Sequence, residues 1–140
     1  MIAKDYLMQV TKLDKLINNK LIEIEQWKAR AISTTAQSDG ERVQASGSQQ
    51  KMADAICRYM QIESEVNDQI DRLVDRKQEI IATIEQLPVT EYDLLHKKYI
   101  QGIELVDISI EMDKSYSWVT TVHGRALLHV QKILDGRVQE

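Results

Sequence analysis

The sequence predicts an all-α protein: a long, coiled-coil-like antiparallel helical hairpin followed by a three-helix unit with helix-turn-helix spacing. Three observations lead there. Charged residues make up 29% of the 140-residue chain, with five Gly, one Pro and no Phe, a composition suited to helices. A sustained heptad, apolar but for Glu63 and Lys77, runs over residues 52–87. After Pro88 the pattern breaks into three shorter apolar periods.

The first helix is expected from Ile2 to about Ser33. Tyr6, Val10, Leu13, Ile17, Leu21, Ile24, Trp27 and Ala31 recur at steps of three and four, with Lys and Glu between them. Residues 34–50, TTAQSDGERVQASGSQQ, have no apolar period and two glycines, so a flexible connection is predicted there. The second helix carries Met52, Ile56, Tyr59, Glu63, Val66, Ile70, Leu73, Lys77, Ile80, Ile84 and Leu87 on one seam. Pro88 ends it, because the residue before a proline disfavours helical geometry. Folding the first helix back on the second buries both stripes and makes residues 1–87 one unit. Met60, Ile62, Val74 and Ile81 flank the seam. A second copy of the chain or the C-terminal unit is expected to cover them, which makes a homodimer the expected assembly.

Residues 88–140 form the second predicted unit. Thr90 is the expected N-cap of a helix reaching Gln101, with Leu94, Leu95, Tyr99 and Ile100 apolar and Gly102 as its stop. Leu105 to Met112 is a short helix with Leu105, Ile108 and Met112 on one face. Asp113-Lys114 makes a tight turn, and Ser115 caps a longer helix to about Leu134. Stepping about 100° per residue puts Val119, Val122, Ala126, Val130 and Ile133 on its buried side. Ser117, Thr120, Thr121 and Gly124 fall opposite, with Tyr116 and Trp118 flanking them.

A small, polar, outward N-terminal half suits a helix that enters a major groove, where hydroxyls meet base edges or phosphates. Lys114, Arg125 and Lys132 are placed to reach phosphates, and Arg137 extends the patch. Gly124 costs its helix about 1 kcal/mol relative to alanine, which fits close approach by a phosphate backbone. The plain alternative is a solvated helix face, since helix-turn-helix shapes also serve in protein contacts. Val106 and Ile110, four apart, form a second apolar edge expected to dock on the hairpin or on RNA polymerase.

Other chemistries find little support. Asp68, Asp71, Asp75 and Glu79 cluster on the second helix, but the first offers no matching carboxylates and no Glu-x-x-His pair. Neighbours such as Asp68–Arg72 and Asp71–Arg76 read as a salt-laced face. His123 and His129 lie about 240° apart around one helix and cannot share a metal. His123 is expected to flank the helix or touch phosphate, and His129 to be partly buried. Cys57 is expected to be a buried structural thiol. No phosphate loop and no Ser-His-Asp pattern is visible, so no enzymatic activity, metal or cofactor is expected. The start MIAKDYLMQV lacks the apolar core of a signal peptide, and a cytoplasmic protein is expected. A net charge of −4 excludes a chain that coats nucleic acid by charge alone.

These residues also resemble a known family. SYSWVTTVHGRALLHV, with Ser115, Val119, Val122 and the Arg125-Ala126-Leu127 triplet, resembles region 4 of bacterial sigma factors. LLHKKYIQG and LVDISIEMDKS resemble the first two helices of that module. YLMQVTKLDKLINNKLIEIE and IESEVNDQIDRLVDRKQEI are similar to a phage- and prophage-encoded family. Its members couple a helical hairpin to a sigma-like C-terminus and look related to ArpU-type phage regulators. The resemblance implies a DNA-binding transcription regulator acting in a bacterial host, with double-stranded DNA as partner and RNA polymerase as a second. It implies that Tyr116, Ser117, Trp118, Thr120 and Thr121 face DNA, with Lys114 and Arg125 beside them. Sigma modules often carry Arg, Glu and Gln at those positions, so this surface would read bases differently. The turn, usually Gly then an apolar residue, is here Asp113 and Lys114; Asp tolerates left-handed geometry. Residues 89–140 hold six Lys/Arg against eight Asp/Glu, so local positive charge must carry any phosphate contacts. A non-DNA-binding adaptor between proteins is the alternative.

Overall fold

The computed structural model describes residues 1–40 and 45–139. Five α-helices follow in order: α1 (Ala3–Gly40), α2 (Ala45–Ile84), α3 (Val89–Leu95), α4 (Leu105–Glu111) and α5 (Tyr116–Gln139). A π-helical turn, His96–Ile100, extends α3. There is no strand among the described residues; the fold class is all-α.

Helix α1 outruns its expected end and α2 its expected start, while α2 stops at Ile84, short of the expected Leu87. Residues 34–40 and 45–50, predicted as a flexible connection, are helical; residues 41–44 lie outside the described residues. Ser, Thr and Gln are only mildly unfavourable in a helix, and each added residue gains a hydrogen bond once the helix is nucleated. An apolar period is therefore not required to prolong it.

The chain divides into two compact units, and the division is not at Pro88. Residues 1–14 join residues 74–140 in one, and residues 15–73 form the other. Long-range hydrogen bonds in the first unit explain the boundary. Thr83 Oγ1 donates to the Glu79 carbonyl at 3.0 Å. Its lone pairs then accept Arg137 Nη2 at 2.7 Å and the Tyr6 hydroxyl at 3.0 Å. Arg137 Nη1 also reaches the Tyr6 oxygen at 3.3 Å. Gln131 Oε1 accepts the Ala3 amide at 2.8 Å, so a side chain of α5 caps the start of α1. The core holds Leu7, Val10, Ile80, Ile84, Leu94, Leu95, Ile108, Val119, Ala126 and Val130, all essentially inaccessible. Tyr6 pairs with Thr83, Gln9 with Arg76 and Asp14 with Lys77, so here α1 and α2 lie antiparallel.

In the other unit the guanidinium of Arg58 lies 5.4 Å from the centre of the Trp27 ring, and that of Arg30 4.9 Å. Ala31 and Val66 are buried, whereas Leu21, Ile32, Ile56 and Met60 are exposed. Cys57, expected to be buried, is exposed. It is turned away from the seam that its neighbour Ile56 was expected to join. In the first unit, Arg76 bonds Glu79 at 3.0 Å and Gln9 at 3.2 Å, not Asp71 as expected. A spacing of three puts Glu79 beside it on the helix; five does not.

Candidate nucleic-acid interface

The turn into α5 is built by two local devices. At the end of α4 the amide of Lys114 bonds the Ser109 carbonyl at 2.9 Å, and that of Asp113 bonds Ile110 at 3.2 Å. This is the Schellman pattern, and Asp113 takes the left-handed position with φ 55°. Ser115 then opens α5: its Oγ accepts the Trp118 amide at 3.0 Å, while its carbonyl accepts Val119 at 3.1 Å. The preceding helix differs from expectation. Thr90 is not its N-cap; Pro88 holds that place with no side-chain cap, and its carbonyl accepts Tyr92 at 2.9 Å. Proline tolerates a helix start because no amide is needed there.

Helix α5 packs on α3 and α4. Val119, Val122, Ala126 and Val130 are buried and Ile133 is half-buried. The opposite flank is open. Ser117 and Thr121 are exposed, Thr120 and Trp118 are half-buried, and Tyr116 is 53% exposed. Thr120 and Thr121 each donate their hydroxyl hydrogen to the Ser117 carbonyl at 2.9 Å. What they present outward is therefore lone pairs, suited to accept from an amino group on a base edge. A Cβ added to Gly124 would meet nothing within 4 Å, so the helix is bare at that point.

The cations of this region are all exposed and differ in what holds them. Lys114 lies over the Trp118 ring, Nζ 5.3 Å from its centre, and Lys132 is exposed. Arg125 keeps 54% of its side-chain surface while its Nε sits 3.9 Å from Glu91. Arg137, expected in the phosphate patch, stays exposed, but its guanidinium is held by the Thr83 and Tyr6 hydroxyls. Those hydroxyls reach it from distant parts of the chain, and no local pattern announces them.

Two further side-chain pairs lie behind this face. Glu91 is 2% exposed and bonds His129 Nδ1 at 2.6 Å. His123 is half-buried, its Nε2 2.8 Å from the Tyr99 hydroxyl, with the two rings stacked. Burial, and then the charges of Lys98 and Lys4, hold the His123 imidazole below its usual range. Burial also raises the Tyr99 hydroxyl. His123 is thus half-buried on the flank of α5, with its Nε2 engaged by Tyr99. Sequence reasoning missed Glu91 altogether; its only sign was an acidic residue in the first turn of a helix.

The second apolar edge is exposed: Val106 is 54% and Ile110 73% exposed. Of its two expected docking places, the chain's own hairpin is ruled out within this unit. Among the described residues no group of three or more His, Cys, Asp or Glu side chains is placed to hold a metal. No described helix is long and apolar enough to cross a membrane.

No family model, curated protein or solved structure matches this chain. A functional assignment therefore has to come from the surface of α5 and its supports.

Proposed function

We propose that the protein is a DNA-binding transcription regulator of phage or prophage origin, with α5 as the recognition helix and a homodimer held through the α1–α2 pair. The observation that supports this best is the polarity of α5. Its apolar flank is inside, while Ser117 and Thr121 are left open on the other side. Lys114, Tyr116, Trp118, Thr120 and Arg125 complete the surface. Thr120 and Thr121 accept from base amino groups, Lys114 and Arg125 meet phosphates, and Gly124 lets a backbone come close.

The test is an anisotropy titration of the folded chain against promoter fragments of its source genome. Binding that falls steeply with salt, and that Thr121→Glu abolishes, is the expected result. Absence of binding at low salt by a folded protein overturns it.

A second proposal is an adaptor that contacts RNA polymerase or another protein without touching DNA. The exposure of Val106 and Ile110 favours it, since both are apolar and one turn apart. Pull-down of polymerase that Ile110→Lys removes, together with no DNA binding, would select this second role.

A further inference from the structure

The two sides of the α1–α2 pair in residues 15–73 differ. On α1 the side facing α2 is marked by Ile17, Ile24, Trp27 and Ala31; on α2 the matching side carries Tyr59, Val66, Ile70 and Leu73. At about 100° per residue, Leu21 and Ile32 are turned roughly 70–100° from the first line. Ile56 and Met60 are turned by a similar angle, in the same sense, from the second. In antiparallel helices equal rotations point to the same side of the pair. These four side chains therefore share one face, and they are 48%, 60%, 39% and 61% exposed. Arg30 and Arg58 are turned the opposite way, and it is they that cover Trp27. Among the described residues, arginines cover one side of the pair, while these four apolar side chains stay exposed on the other.

We propose that this open face binds the same face of a second copy, each α1 lying on the partner subunit's α2, to give a four-helix layer. The charges select both occupant and register. Residues 15–33 carry four Lys/Arg against two Asp/Glu, and residues 51–73 carry three against five. A two-fold axis parallel to the helices sets each basic α1 against an acidic α2; a two-fold across them sets like on like. At about 100° per residue, Lys28 and Glu63 are each turned roughly 50° from the inner lines toward the open face. Lys28 is exposed and Glu63, which accepts the Tyr59 hydroxyl, is half-buried. In this register Lys28 is therefore set against Glu63 of the partner subunit. This specifies the face for the homodimer named above and rests on that assembly, but not on DNA binding.

Sedimentation equilibrium of the full chain tests it, with helicity checked by circular dichroism. Wild type should be dimeric, and Met60→Lys should weaken the dimer at least about tenfold with helicity unchanged, because Met60 is mostly exposed. Lys28→Glu and Glu63→Lys should each weaken it, and an equimolar mixture of the two should restore it, since the heterodimer regains both opposite-charge contacts. A dimer indifferent to Met60→Lys overturns the face, and a mixture that stays dissociated overturns the register. A wild-type monomer at micromolar concentration overturns the homodimer itself.

Discussion

His129 Nδ1 lies 2.6 Å from the Glu91 carboxylate, which is buried to 2% exposure, and this bond ties the middle of α5 to the first turn of α3. The same carboxylate oxygen is 3.9 Å from Arg125 Nε, so one buried carboxylate steadies two residues of α5. Removing it should leave both without their inner partner. Glu91→Ala is expected to lower stability by about 2 kcal/mol, the range for a lost buried hydrogen-bonding partner. Urea denaturation followed by circular dichroism measures this, and a change below a few tenths would show that the pair is dispensable.

The Ser115 cap makes a separable demand. Ser115→Ala removes the acceptor of the Trp118 amide and should cost about 1 kcal/mol. Ser115→Asp keeps an acceptor and should restore most of it. Equal denaturation midpoints for the serine and alanine forms would argue against the cap.

Gly124 distinguishes a tolerated residue from a functional one. Alanine fits without contact and should stabilise the helix by up to about 1 kcal/mol. If a phosphate backbone approaches there, the same variant should bind promoter DNA more weakly although it melts higher. Unchanged affinity would remove Gly124 from the interface.

Lys114 can be tested by salt. If it neutralises one phosphate, Lys114→Ala should weaken binding on all sequences alike and reduce the salt slope by about 1. Loss of binding on some sequences only would make it a base contact instead.

His123 predicts a pH response. Its folded pKa is lowered, chiefly by burial, so below about pH 6.5 the unfolded chain binds a proton that the folded chain resists. The stability it contributes is full above that pH and falls as the pH drops from the unfolded toward the folded pKa. His123→Gln should flatten the stability profile in that interval; an unchanged slope would mean that another group governs it.

The buried stripe of α5 was legible because Val119, Val122, Ala126 and Val130 repeat at helical spacing. The open turn before it was legible because Asp113 tolerates its left-handed φ of 55°. Thr90 misled because a good capping residue close to a proline does not outrank a proline that already fits a helix start. Residues 34–40 misled for a related reason: lack of an apolar stripe removes a motive for packing but does not stop a helix growing.

By itself the sequence determined the all-α class and the apolar flank of α5, because both depend on residues three or four apart, but not the full extent of α1 and α2. Only the tertiary structure decided where the units divide, which cations are held by distant hydroxyls and what steadies α5. Glu91 and His129 are 38 residues apart, and Thr83 and Arg137 are 54 apart. Partners at such separations leave no periodic trace, since the bonds between them exist only once distant helices have been packed together.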